Sequence, residues 1–500
     1  MKKIICMSLL LLLCVTALAC ERIVEEEEEA YSTNADVLNW NISVMPHFFY
    51  PSSTLNDSEK QMVNHLYEGL TRVVDGQITM GMAKTIDISS DELTYTIELK
   101  TSKWSDGELV KADDFIYSWE RDDYYSRGVN LLYLDAYIKR VSVDSLGRLV
   151  IDLYEKNDNL LYQLSHVAFM PLRRDIIDFD DEIPEHRNAV SNGPYYLSAY
   201  EDEKYLILKR NTYHYDFFNV KINTIHVTLD HNYASVLQKV GDGDIHFSDS
   251  VDWKKIDDYL VNEPTFYIFE NKRYYGFTIN KKNEVLSKIK MRELLFAAVD
   301  RTAFNPFQNH ITDSLAVFNS DHVDGEKIRQ LLEELDYNLI KSLDGLRIVT
   351  RDTTNDMYLG KMLKESFSAY LGIECQVVSL NSTDYYNALK DFDYDVVLNR
   401  MYDNSDSKKK VYNYYQNNQD LNLDLDFDQA FPQSVTAYDD SSLMLGDDQF
   451  KKSYLYLPLF RGHDTVLISQ VLSGWSMSDE GLFYFANSEI LQQSDQEKGD

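Results

Sequence analysis

YTIELKTSKWSDGELVKADDFIYSWER, Tyr95 to Arg121, carries three kinds of local signal in one short run. Tyr95-Thr-Ile-Glu-Leu99 alternates apolar and polar side chains, the period of a strand with one buried face. Trp104-Ser-Asp-Gly107 is a tight turn, with Asp and Gly supplying the backbone conformations it needs. Ala112 to Arg121 then reads as a helix opened by Asp113 and Asp114, acids placed where a helix N-terminus favours them. Strand, turn and helix in such close succession indicate α/β or α+β architecture and exclude a simple helical bundle.

The flanking segments extend this pattern. Asn39 to Phe49 reads as a strand running into a loop, and Asp57 can cap a helix over Ser58 to Leu70, with Met62, Leu66 and Leu70 at helical spacing. Val141–Val143 and Leu149–Leu153 bracket the turn Asp144–Gly147 as a hairpin. Asn192-Gly193-Pro194 is a strong break before a second hairpin, Tyr195–Leu197 with Tyr205–Lys209. Ile225–Leu229 reads as a strand, Ala234–Val240 as a helix and Gly241–Asp244 as a turn. Leu346–Val349, a helix from about Asp356 to Tyr370 and Glu374–Val378 form a βαβ unit, closed by Gly372 at the helix C′ position. No internal repeat or long low-complexity segment interrupts the chain.

With 500 residues the chain is too long for one hydrophobic core, so two or three lobes are expected. Its 44% hydrophobic content is ample for packing and excludes disorder. The formal charge of −33, or −35 once Lys2 and Lys3 are removed, repels nucleic acid and anionic headgroups. The basic run Lys408–Lys410 beside Tyr412, Tyr414 and Tyr415 reads against that background as a solvated loop or helix end. At the N-terminus, Lys2-Lys3 followed by apolar Ile4–Ala19 has the length of a secretory signal, short of the roughly 20 residues that span a bilayer. Cys20 at the presumed first mature position resembles a bacterial lipoprotein signal and is the expected lipidation site, although Ala17-Leu-Ala19 also reads as an ordinary cleavage site. Glu21–Asn34, with Glu25–Glu29 inside it, reads as a solvated tether. With Cys6 and Cys14 in the signal and Cys20 acylated, Cys375 has no partner, which excludes a disulfide framework and a cysteine zinc site.

Chemistry-bearing motifs are missing. There is no phosphate-binding loop, no G-x-G-x-x-G after a strand, no G-x-S-x-G and no H-E-x-x-H. Asp424, Asp426 and Asp428 have the start of a calcium loop but lack its glycine and its final glutamate, where Val435 stands. His226 and His231 are spaced wrongly for one helix face. No metal, cofactor or catalytic constellation is expected, and an enzyme is disfavoured.

Read in order, LNDSEKQMVNHLYEGLTRVVDGQ (from Leu55), the Tyr95–Arg121 stretch, SNGPYYL with LILKRNTYHYD (from Ser191), YYGFTINKKNEVLSKIKMRELLFAAVDR (from Tyr274) and YLPLFRGHDTVLISQVLSGW (from Tyr456) resemble the oligopeptide-binding proteins of bacterial ABC importers, solute-binding protein family 5. The resemblance covers most of residues 40 to 500. It implies a two-lobed, periplasmic-binding-protein-like type II α/β fold, with crossover strands and an extra domain inserted in the first lobe. The expected division is a signal at 1–19, a tether at 20–36, lobe I at 37–60, 190–275 and 463–500, the inserted domain at 61–189, and the second lobe at 276–462. The tryptophans and glycines of the motifs are expected to serve packing and turns rather than ligand contact.

The implied function is capture of an oligopeptide in the interlobe groove and delivery to ABC permease subunits, by a monomer held to the membrane only through its lipid. The family's W-x-A-D-Y-x-x-P segment, whose Asp pairs with the peptide ammonium, corresponds here to Tyr394–Tyr415. Its tryptophan position falls near Met401, and the carboxylate is Asp403, Asp406 or absent. The candidate site is Asp403 for the ammonium, Met401 and Tyr402 lining the groove, and Phe49 and Tyr50 from the first lobe. The sequence departs from the family at His246, where an acid is usual, at Asp336, where Gly is usual, and in the acidic run Asp420–Asp448. A scaffold that has lost import, serving as adhesin, sensor or structural lipoprotein, is the alternative.

Overall fold

The computed structural model describes residues 35–51, 57–74, 76–126, 138–176, 190–304, 322–402, 452–478 and 480–491. The chain opens with β1 (Val37–Asn41) and the helix Asp57–Leu66, followed by the hairpin β2 (Thr71–Val74) and β3 (Gln77–Met80). The next four strands, β4 (Ala83–Ile88), β5 (Thr94–Leu99), β6 (Ile138–Val143) and β7 (Leu149–Leu153), form a separate antiparallel sheet in the order β4-β5-β7-β6. The helix Ala112–Ser126 follows β5, as the alternation and the acidic first turn require. Ile97, Trp104, Phe115 and Leu149 of this inserted unit are fully buried in the same core as Leu38, Val227 and Phe247.

The chain then builds β8 (Tyr195–Glu201), β9 (Tyr205–Arg210), β10 (Thr224–Thr228), the helix Tyr233–Asp242 and β11 (Phe247–Ser248). A long strand β12 (Phe266–Ile279) leads to β13 (Leu346–Arg351), the helix Thr354–Leu371, β14 (Cys375–Leu380), the helix Ser382–Asp391 and β15 (Val396–Tyr402). β16 (Tyr456–Ile468) returns. One sheet runs through both lobes in the order β14-β13-β15-β12-β16-β11-β1-β10-β9-β8. β12 and β16 pair antiparallel along their length. The ladder slips between Glu270 and Tyr274, and again beside Pro458, which has no N–H to give.

The two lobes repeat one topology. β1 lies between β10 and β11, parallel to both, and β13 lies between β14 and β15, parallel to both. In each trio the chain crosses over the middle strand through a helix, Tyr233–Asp242 in one lobe and Ser382–Asp391 in the other. Gly372 ends the Thr354–Leu371 helix in the left-handed conformation (φ +66°), as the C′ position requires.

The first helix stops at Leu66, short of Leu70, for a specific reason. The Asn192 side chain accepts from Glu68 N–H at 3.1 Å and donates to Glu68 C=O at 3.0 Å, taking over backbone groups that another helical turn would use. Gly193 N–H donates to Leu66 C=O at 2.8 Å, so close that a Cβ there would lie 2.6 Å from the Leu66 carbonyl carbon. The Trp104 turn is stitched to the same place, since Ser105 N–H bonds Ser191 C=O at 2.8 Å and Ser191 N–H bonds Ser105 Oγ at 3.2 Å. Replacing Gly193 with Ala forces backbone apart at this junction and is expected to cost about 3 kcal/mol. Denaturant unfolding checks this, and an unchanged midpoint would show that the approach is not rigid.

The two family departures that lie among the described residues are structural. His246 is buried, and its Nδ1 accepts Asn39 N–H at 2.8 Å. Asp336 caps the helix Tyr337–Lys341 by accepting Asn338 N–H at 2.7 Å. Asp420–Asp448, Lys408–Lys410 and the N-terminal 34 residues, Cys20 included, lie outside the described residues.

Candidate functional site

A groove of about 400 Å³ opens where the carboxyl ends of both parallel trios meet. Open α/β sheets create such crevices where the chain crosses over, leaving loops to diverge on either side. Ser43 and Val44 follow β1, His231 and Tyr233 follow β10, and Asp249 to Val251 follow β11. From the other lobe come Arg351, Thr353 and Asn355 at the end of β13, Tyr385 and Leu389 from the helix after β14, and Asn399 from β15. Tyr275 of β12 and His463 to Val466 of β16 also line it, together with Trp253 and the first turn of the helix Asp57–Leu66.

Asn41 fixes the first-lobe floor. Its amide donates to Asp230 C=O and Ser248 Oγ, both at 3.2 Å, and its oxygen accepts Asp230 N–H at 2.8 Å. The ends of β1, β10 and β11 are thereby tied together, and Ser43 N–H donates to Asp249 Oδ1 at 2.6 Å. In the second lobe Thr353 caps the helix Thr354–Leu371 by accepting Asp356 N–H at 3.2 Å. Arg351 Nε donates to the buried Asp356 at 2.6 Å. Asn355 reaches across, donating to Val251 C=O at 2.8 Å and accepting Trp253 N–H at 3.2 Å. The Tyr233 phenol is pushed above its ordinary range, first by burial and then by Asp252, Asp356 and Asp249, while its bond with Thr354 opposes the shift.

An aromatic wall completes the groove. Trp253 meets Tyr275 edge-on at 5.0 Å and Phe460 at 5.9 Å, and its Nε1–H donates to Thr465 Oγ1 at 3.2 Å. Ser58 Oγ is committed to Val44 C=O at 2.5 Å. Carboxylates, amides, hydroxyls and aromatic faces of this kind can orient a small solute.

The residues expected from sequence fall in different places. Asp403 lies outside the described residues, and Met401 and Tyr402 are placed by their backbone alone, paired with Tyr274 and Arg273 at the end of β15. Phe49 and Tyr50 are buried, Phe49 against Tyr200 with ring centroids 5.3 Å apart, and neither is among the groove-lining residues. Aromatics after a strand are as well suited to a core as to a groove, and here the core takes them. Sequence reasoning missed Tyr233, Asp249, Arg351 and Asp464. Asp249 and Arg351 sit at or just beyond a strand end and Tyr233 opens the helix after β10, a signal that needs strand order to be read.

Among the described residues, His47, Asp202 and Glu203 alone group like metal ligands. Each ring nitrogen faces a different carboxylate, Nδ1 to Asp202 at 3.3 Å and Nε2 to Glu203 at 3.4 Å, so the ring bridges the two acids.

Two α/β lobes joined by a strand pair, with an additional sheet packed on the first and a groove at the strand ends, make the type II periplasmic-binding-protein-like fold with an extra domain. The model of bacterial extracellular solute-binding proteins, family 5, matches residues 77–422, and the chain belongs to that family. It is a distant relative of oligopeptide- and dipeptide-binding proteins. It is 23% identical to the oligopeptide-binding protein OppA of Bacillus subtilis, over 73% of this chain and 74% of that protein. With the periplasmic murein peptide-binding protein MppA of Escherichia coli it shares 21%, over 69% and 71%. The crystal structure of Haemophilus influenzae OppA in complex with RPPGFSPFR superposes with a TM-score of 0.79 at 18% identity, covering 92% of this chain and 99% of that one.

Proposed function

We propose that this chain captures peptides in the groove between its lobes and hands them to the permease of an ABC importer, while a lipid on Cys20 tethers it to the cell envelope. Family membership and the relatives' peptide ligands support this reading. The observation that carries it is the groove itself, lined by strand ends of both lobes and bridged by Asn355, so that a solute inside it touches both at once. A peptide bound there is held largely through its backbone, for which Ser43, Asn355, Asn399 and Thr465 offer donors and acceptors. Asp403, Met401 and Tyr402, at and just past the end of β15, remain in this proposal as ligand contacts.

Native mass spectrometry of the mature chain, purified without denaturation, tests the ligand. Adducts of a few hundred daltons that fragment as peptides are expected; a bare mass with no thermal shift from a peptide library would favour the scaffold that has lost import. Cys20→Ser is expected to move the protein from the membrane fraction to the soluble one. Retention in the membrane would remove the lipid from the proposal.

A further inference from the structure

We infer that His47, Asp202 and Glu203 form a binding site for a divalent transition-metal ion of the zinc class, at the edge of the sheet where the groove opens. The site stands apart from whatever the groove itself holds.

The strand ladder brings the three residues together. Asn41 at the end of β1 pairs with Thr228 of β10, Thr228 with Tyr205 of β9, and Tyr205 with Glu201 of β8. The β8–β9 turn therefore lies at the carboxyl end of β1, and Asp202 and Glu203 are in that turn. His47 comes from the segment that leaves β1, whose Ser43 and Val44 line the groove. The ligands come from segments far apart in the chain, so no motif spacing marks them.

One donor atom from each residue lies within 4.8 Å of the other two. Donors around a tetrahedral zinc ion are ~3.3 Å apart. The Nε2–Glu203 separation, 3.4 Å, already has that length. Coordination through Nε2 needs Asp202 to swing in from the Nδ1 side, and at 64% exposure its side chain has room to do so. His47 is the anchored member. Its side chain is 12% exposed, and Nε2 is buried without a hydrogen bond. Such an atom is costly to leave unsatisfied, and a metal ion satisfies it. Tyr200 O–H donates to Asp202 Oδ1 at 2.7 Å, the kind of outer contact that orients a ligating carboxylate. One imidazole with two carboxylates suits zinc and its neighbours better than magnesium or calcium, which take oxygen donors. Three protein donors leave a fourth position for water or for a donor atom of another molecule.

Titration calorimetry with zinc chloride tests the inference, on the mature chain stripped with chelator and carrying no histidine tag. Magnesium and calcium chloride serve as comparisons. A tight site for one zinc per chain is expected, with magnesium and calcium binding more weakly. His47→Gln, Asp202→Asn and Glu203→Gln should each weaken zinc about tenfold or more, since losing even an outer partner of a metal site costs that much. Glu201→Gln removes an acid of the same hairpin, one that pairs with Lys204, and should bind zinc as the wild type does. Melting curves separate folding from binding. Zinc should raise the melting temperature of the wild type and of Glu201→Gln, and not that of the three ligand variants. No zinc uptake, uptake unchanged in all three ligand variants, or an equal loss in Glu201→Gln overturns the inference. Magnesium or calcium binding as tightly as zinc also overturns it, because the imidazole would then contribute nothing.

Discussion

Glu68→Gln is expected to destabilise the protein by about 3–5 kcal/mol, because it strands a buried guanidinium. Arg72 donates to Glu68 through Nε at 3.2 Å and Nη2 at 3.0 Å, and to Asn64 Oδ1 through Nη1 at 3.0 Å. The guanidinium lies 3.8 Å over the Tyr484 ring, and both members of the pair are almost wholly withdrawn from water. Burial pulls the Arg72 guanidinium down, but Glu68, Tyr484 and Tyr215 together offset it and hold the group above its ordinary value. The pair joins three distant parts of the chain: the end of the first helix, the hairpin entered through Asn192, and the C-terminal Tyr484. Calorimetric melting of the single variant should show a fall of several degrees. The double variant Glu68→Gln with Arg72→Met should recover much of that loss, since an apolar replacement of the whole pair leaves no charge unmatched. A double variant as unstable as the single one would assign the loss to packing.

Acid is expected to weaken the fold well before the carboxylates titrate. Burial holds His65, His214 and His246 down at about 4, each from an ordinary value of 6.5. For His65 and His214, neighbouring charges adjust the shift; burial leads in all three. Each folded value lies below the unfolded one, so between those values the unfolded chain binds more protons. Stability is therefore complete above about pH 6.5 and declines as pH falls toward 4. At pH 5 each histidine forfeits roughly 2 kcal/mol. Two hydrogen bonds act in the same direction as burial, since His246 Nδ1 and His214 Nδ1 both accept backbone N–H groups and cannot take a proton without losing them. Unfolding midpoints from pH 7 to pH 5 check this. His246→Asn, whose side-chain oxygen can still accept from Asn39, should show a shallower decline. A flat profile in both proteins would mean that these rings are not held neutral.

Local order was legible in the sequence wherever one short segment determined it. The alternation of Tyr95–Leu99, the acids at Asp113 and Asp114 and the glycine at 372 each resolve into the expected strand, helix start and helix stop. The motif tryptophans and glycines are packing and turn residues as read. Trp104 is fully buried with Nε1–H on Asp114, and Gly107 sits at φ +96°. The early end of the first helix was not legible, because its cause is Asn192, more than a hundred residues away. The groove was hidden for the same reason. Asp249 and Arg351 are neighbours of one cavity only because β11 and β13 end on facing sides of it, and strand order is not written in any single segment. Phe49 and Tyr50 show the converse, two aromatics whose local pattern cannot tell a core from a rim.

The slip in the β12–β16 ladder between Glu270 and Tyr274 has a mechanical consequence. Two-stranded ribbons take up larger twists than wide sheets do, so on the proposed reading the strand pair is expected to act as a torsion bar between the lobes. The slip is its softest point, where backbone pairing is already interrupted. Atoms near a twist axis travel least, and those at the ends of the lever arms travel farthest. Tyr275, His463 and Asp464 sit on the bar itself, whereas Tyr233, Asn355 and Tyr385 ride on the arms. A solute seated on the bar is then expected to stay in register as the arms swing. On the proposed reading, capture is expected to begin at the stationary contacts and end at the travelling ones, with release in the reverse order.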